Sequence, residues 1–262
     1  YVEMNLAEGL EAVGRWDDAA AAHRSLAARL PTGHWEYFAI NCLDADRGDH
    51  DQLRAALDRV GRLPDQHTAV LQGLAEAFLA MVALAVWEGR LDDARALTDE
   101  LLHRLPDAML AWKVAPVLWR ATWAEADGAE LARARHDTAA EQAAALAADR
   151  RIDLLHTITE RIQSRELAQP VVGFSAYAAL AAAERHRLDG ADEAEHWLDG
   201  AARFDAVGIV FPGAYARFRA AACALHAGDR AAAEDLLQQA AHVARTLGAG
   251  PLLALIDQLA TR

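Results

Sequence analysis

A six-residue pattern occurs twice in this chain, as Gly14-Arg15-Trp16-Asp17-Asp18-Ala19 and as Gly89-Arg90-Leu91-Asp92-Asp93-Ala94. Each copy joins a glycine to an apolar residue, two acids and an alanine. Glycine ends a helix at low cost because it tolerates the left-handed conformation. The acids then open the next helix, where negative charge faces the positive end of the helix dipole. A proline follows each glycine 17 residues later, at Pro31 and Pro106. The two glycines lie 75 residues apart, room for two units of a helix–turn–helix repeat of about 34 residues. The spacing predicts an all-α chain, a stack of helical hairpins.

Hairpins are expected at about 1–31, 34–62, 66–106, 107–169, 170–207 and 211–248, with a capping helix at 251–262, in a single domain spanning 1–262. In the first, Leu6, Ala7 and Leu10 mark an apolar face, and Ala19, His23 and Leu26 form the inward stripe of its partner. Turns are read at Arg47-Gly48-Asp49, Asp127-Gly128, Asp189-Gly190, Gly208, Gly228 and Gly248. Pro116 falls within a helical stretch, where it should kink or split the helix. The run 133–169 holds neither proline nor glycine and is expected to form one or two long helices.

Composition narrows the function. A net charge of −13 argues against a surface that grips phosphate backbones or anionic lipid, since those partners need clustered cations. The most apolar run, Leu74 to Trp87, is interrupted by Glu76 and is shorter than the about 20 residues a bilayer requires. No signal peptide is recognisable, so a cytoplasmic location is expected. Cys42 and Cys223 lie in apolar helical stretches and read as reduced core residues. The chain opens on Tyr1 rather than methionine, which suggests a segment cut from a longer protein.

Chemistry is sparse. The pairs Asp17-Asp18 and Asp92-Asp93 lack a further acid one turn on, because positions 21 and 96 are alanine, so helix-start charge accounts for them better than a metal site. The eleven histidines show no His-x-x-x-His pair on one helix face. No catalytic residue, cofactor or metal is therefore expected. The tryptophans stand out. Trp112, Trp119 and Trp123 share one helix, interleaved with Lys113 and Arg120. Aligning the hairpins suggests which positions face the concave side of the stack: Trp35, Phe38 and Cys42, then Glu76, Leu79 and Ala83, then Leu118, Thr122 and Glu125, then Tyr177, Leu180 and Glu184. The candidate groove set is Trp35, Phe38, Glu76, Trp112, Trp119, Thr122, Glu125, Tyr177 and Glu184. Such a mixture of aromatics and acids suits a peptide or a small amphipathic effector.

Three segments carry a family resemblance: Phe211-Pro212-Gly213-Ala214-Tyr215-Ala216-Arg217-Phe218-Arg219, Ala227-Gly228-Asp229-Arg230-Ala231-Ala232-Ala233, and Leu247-Gly248-Ala249-Gly250-Pro251-Leu252-Leu253. Together with Trp197 and Leu188-Asp189-Gly190, they make residues 170–262 resemble the C-terminal helical region of large LuxR-type, MalT-like ATPase transcription regulators. Residues 1–169 are similar to tetratricopeptide (TPR) repeats in general. The resemblance implies a right-handed superhelical stack, a TPR-like α-solenoid, acting as the sensor or interaction region of such a regulator. It implies a small-molecule effector or a protein or peptide in the concave groove, with DNA reached through a downstream domain rather than by this segment. The phosphate-binding Gly-x-x-x-x-Gly-Lys-Ser/Thr motif does not occur here. A homo-oligomer is compatible with the pattern. The rival readings are a stand-alone TPR-type adaptor and an all-α enzyme.

Overall fold

The computed structural model describes residues 2–29, 40–60, 71–105, 110–164 and 173–261. They form thirteen helices: α1 Val2–Ala12, α2 Trp16–Arg29, α3 Cys42–Arg47, α4 His50–Val60, α5 Leu71–Trp87, α6 Leu91–Arg104, α7 Leu110–Ala134, α8 Thr138–Gln163, α9 Phe174–Leu188, α10 Ala194–Val207, α11 Val210–His226, α12 Arg230–Leu247 and α13 Gly250–Ala260. No strand occurs among the described residues, and none of their helices is long and apolar enough to cross a membrane.

Both copies of the repeated motif make the same turn. Gly14 adopts φ +80° and Gly89 φ +67°. Gly14 N donates to Glu11 O at 3.1 Å and Arg15 N to Leu10 O at 2.8 Å, while Gly89 N and Arg90 N reach Val86 O at 3.0 Å and Ala85 O at 2.8 Å. These paired bonds satisfy the last carbonyls of each helix. In α2 the expected stripe of Ala19, His23 and Leu26 is buried together with Trp16. In α1 the buried positions are Met4 and Ala7, and Leu6 is exposed.

The expected turn at Asp127-Gly128 does not form. The helix runs on to Ala134, and the chain turns at Arg135-His136-Asp137. His136 takes the left-handed conformation at φ +57°, and Asp137 N closes on Ala132 O at 2.9 Å. A histidine does there what glycine does elsewhere, so the turn carries no glycine signal. At Gly128 the helix simply continues, and a Cβ there would make only ordinary contact with Leu91 Cδ1 of α6 at 3.5 Å. α7 also continues through Pro116 without a split. The run beyond it forms one helix, α8.

Neighbouring helices pack in order: α1 on α2, α3 on α5, α5 on α6 and α7, α7 on α8 and α9, α10 on α9 and α11, and α12 on α11 and α13. The array then meets itself. α13 packs on α3. Trp16 lies 5.6 Å from Phe211 between ring centroids, and a Cβ on Gly14 would approach Leu247 and Val210 at 3.2 and 3.3 Å.

Gly48 ends α3 at φ +92° and faces Pro251 of α13, whose Cδ would lie 3.2 Å from an added Cβ. Gly48→Ala therefore meets both backbone strain and a neighbour. The expected loss is about 1–2 kcal/mol, mostly the left-handed conformation. Urea unfolding of the two proteins would measure it, and an unchanged midpoint would contradict the account.

Candidate functional site

Because the first and last hairpins touch, the inner helices surround a cavity of about 280 Å³. α1, α3, α5, α7, α9 and α11 all contribute to its wall, with Trp16 from α2. Trp16, Trp119, Tyr177 and Phe211 give it aromatic faces, while Glu8, Glu11, Glu76 and the Asp46–Arg120 pair give it charge.

The Asp46–Arg120 pair spans the interior. Asp46 is 3% exposed and Arg120 is 2% exposed. Arg120 Nη2 donates to Asp46 Oδ1 at 2.7 Å and Oδ2 at 2.6 Å. Trp87 Nε1 donates to Asp46 Oδ1 at 2.8 Å, and the Cys42 thiol donates to Oδ2 at 3.4 Å. The guanidinium stacks near Trp119, Trp123 and Phe211, with its carbon 4.7, 5.5 and 5.4 Å from the ring centroids. Burial opposes its charge most strongly, but the Asp46 charge and hydrogen bond together with the other neighbours more than offset it and keep the guanidinium protonated.

Nucleophilic chemistry is disfavoured here. Burial, and then the Asp46 charge, push the Cys42 thiol well above its ordinary range, although Arg120 pulls the other way. A thiol that stays protonated is a poor nucleophile. Burial likewise raises the Tyr177 hydroxyl, with Arg120 opposing it. Among the described residues, no group of three or more His, Cys, Asp or Glu side chains is placed to hold a metal ion.

Of the residues singled out in the sequence, Glu76, Trp119 and Tyr177 line this cavity, as do Cys42 and Leu79. Thr122, Glu125 and Glu184 do not. Thr122 is fully buried and donates to Leu118 O at 2.7 Å. Glu125 accepts from Arg95 at 2.7 and 3.0 Å and from Arg151 Nη1 at 2.6 Å, tying α7 to α6 and α8. Glu184 accepts from Arg187 Nε at 2.8 Å and from the Tyr215 hydroxyl at 2.6 Å. Thr122 is bonded within its own helix, whereas Glu125 and the Glu184–Tyr215 bond join helices. Trp35 and Phe38 lie outside the described residues, as does the side chain of Trp112.

Sequence reading missed Asp46, Trp16, Phe211 and the acidic face of α1, and it noted Arg120 only as a residue between tryptophans. One signal was present. Arg120 is the lone charge in the run 114–124, whereas Asp46 lies between Ala45 and Arg47 with Asp44 close by, and carries no such signal. A charge inside an apolar run calls for a buried partner, but nothing local says which.

His23 of α2 borders the same region. It is 6% exposed, and its Nε2 lies 4.0 Å from Glu11 Oε2. Burial lowers its pKa, with Glu76 pulling weakly upward. The folded state thus favours the neutral ring. Its contribution is fully present above the ordinary histidine range and is lost as pH falls through the lowered folded-state value. We expect stability to drop as pH falls below the ordinary histidine value of about 6.5, and His23→Gln to flatten that part of the curve. Equal slopes for the two proteins would contradict this.

No family model, no curated protein and no solved structure matches this chain.

Proposed function

We propose that this chain is the effector-binding, non-catalytic helical-repeat region of a LuxR-type transcription regulator, a right-handed superhelical TPR-like stack that takes up a small molecule among its inner helices. One observation carries the binding part of this reading: a cavity among the inner helices is faced by aromatic rings and carboxylates. A site of that kind holds a ligand more readily than it transforms one, since the thiol beside it stays protonated. The regulator context rests on the resemblance of residues 170–262.

Binding would act by favouring one spacing of the inner helices over another, which requires that the ligand bind the two arrangements with different affinity. In this reading the segment works in the cytoplasm and reaches DNA only through a downstream domain. The deciding experiment is to read the coding region on either side. A phosphate-binding loop upstream and a helix-turn-helix downstream are expected. Stop codons close to both ends would overturn the regulator reading and leave a free-standing binding protein.

A further inference from the structure

The cavity wall is unevenly charged. Among its described lining residues stand four carboxylates, Glu8, Glu11, Asp46 and Glu76, and one basic group, Arg120. Asp46 and Arg120 answer each other at 2.6 and 2.7 Å, so that pair adds no net charge. Glu8 and Glu11 lie three residues apart on α1 and share a face, and Glu76 joins them from α5. His23 Nε2 lies 4.0 Å from Glu11 Oε2. Burial lowers its pKa, so near neutral pH the ring stays uncharged and supplies no counter-charge. What marks the wall is the sum of these charges, not a vacant oxygen on any one residue. All three glutamates are half-buried, and the Glu11 side chain keeps 26% of its surface.

This balance selects the kind of guest. An anion would add to the negative charge in a partly enclosed space. A carbonyl oxygen offers an acceptor to carboxylates that only accept. A hydroxyl can donate to one of them but leaves the charge as it was. A protonated amine brings three N–H donors and a positive charge together. The apolar wall suits the same guest, because the faces of aromatic rings attract cations. Arg120 already rests 4.7 Å from the Trp119 centroid and 5.4 Å from that of Phe211, and Arg47 5.8 Å from that of Trp16. With Tyr177 and Leu79, these rings also offer flat surface to the body of a ligand. The volume of about 280 Å³ lies just under the about 300 Å³ at which ligand pockets begin, so the molecule is small.

We propose that the cavity binds a small protonated amine on a flat aromatic or apolar body, with the ammonium group toward Glu8, Glu11 and Glu76 and the body against the aromatic rings. This rests on reading the cavity as the effector site and names the chemical class of the effector.

Three probes of one shape test it on the unmodified chain by calorimetric titration near neutral pH: 2-naphthylmethylamine, which is protonated there, 2-naphthylmethanol and 2-ethylnaphthalene. The amine is expected to bind about tenfold or more tightly than either of the others, the scale of one hydrogen bond to a charged group. Glu8→Gln/Glu76→Gln keeps the shape of the wall and removes two charges. It should bring the amine down toward the alcohol while ethylnaphthalene binds as in the parent, which shows the cavity intact. Glu11→Gln alone should move the amine the same way by a smaller step. Leu79→Trp, at a half-buried wall position, should weaken all three probes by filling the space. Amine binding that survives Leu79→Trp would place it on the acidic outer surface and overturn the proposal. Alcohol or hydrocarbon binding as tight as the amine, or an amine preference untouched by the glutamine variants, would overturn the ammonium assignment yet leave the cavity as a ligand site. No binding by any probe would overturn both.

Discussion

Arg187→Met is expected to lower the folding free energy by about 3–5 kcal/mol, the range seen when one partner is removed from a buried ion pair. Arg187 is 2% exposed and Glu184 is 0% exposed. The guanidinium donates to Glu184 at 2.8 Å, Asp127 at 2.8 Å, Glu130 at 2.9 Å and the Trp123 carbonyl at 3.3 Å. Removing it therefore releases α9 from α7 and strands the Glu184 carboxylate. Asp127 and Glu130 are partly exposed and can turn to water. Glu184 cannot. Burial already raises its pKa, against the pull of Arg187 and Arg219, and without Arg187 it rises further.

The sign of the pH dependence follows. A carboxyl whose folded-state pKa is raised contributes stability that is present in acid and lost as pH climbs through that value. The deficit of Arg187→Met should thus be largest near pH 8 and narrow as the solution is acidified. The double variant Arg187→Met/Glu184→Gln keeps an acceptor for the Tyr215 hydroxyl without the charge, and should stand above the single variant at neutral pH. Guanidinium unfolding at several pH values reads all of this. A single variant as stable as the parent at pH 8 would sink the argument.

Trp16→Ala should cost a similar amount, about 3–5 kcal/mol for a buried tryptophan. Its ring is 3% exposed and packs on Phe211. Its indole N–H donates to Glu11 O at 3.1 Å, and Arg47 lies over its face at 5.8 Å. It is the third residue of the repeated motif but touches α11, far away in sequence. The loss should therefore concentrate where the first hairpin meets the last. Amide exchange in α1 and α2 is expected to accelerate more than exchange in the core of α7. A uniform acceleration across the chain would contradict that placement.

Much of the helical order could be read from local chemistry. Gly14, Gly48 and Gly89 announce their turns because a left-handed residue is needed there and glycine supplies it. His136 makes the same turn without announcing it, and Gly128 announces one where α7 runs on to Ala134. The site was legible only in part. Repeat register brings Glu76, Trp119 and Tyr177 to the inner face, and there they line the cavity. The same register selects Glu125 and Glu184, but it cannot tell an inner face left open from one whose acid is held by an arginine of the same helix or a neighbouring one. Arg120 and Asp46 stand 74 residues apart, and no periodicity links a charge to its counter-charge at that distance.

In an open row of repeats each unit touches only its neighbours, and the outermost units fray first. Here Gly48 meets Pro251 and Trp16 meets Phe211, so the row has joined hands and has no outermost unit on that side. Its geometry becomes a circuit. If a guest parts α5 from α7, the angle gained at that seam must be returned at others, down to the one between α3 and α13. A wedge of atomic size on one side of the circuit is thereby felt on the opposite side, through a constraint on the sum of the angles rather than through any chain of contacts leading there.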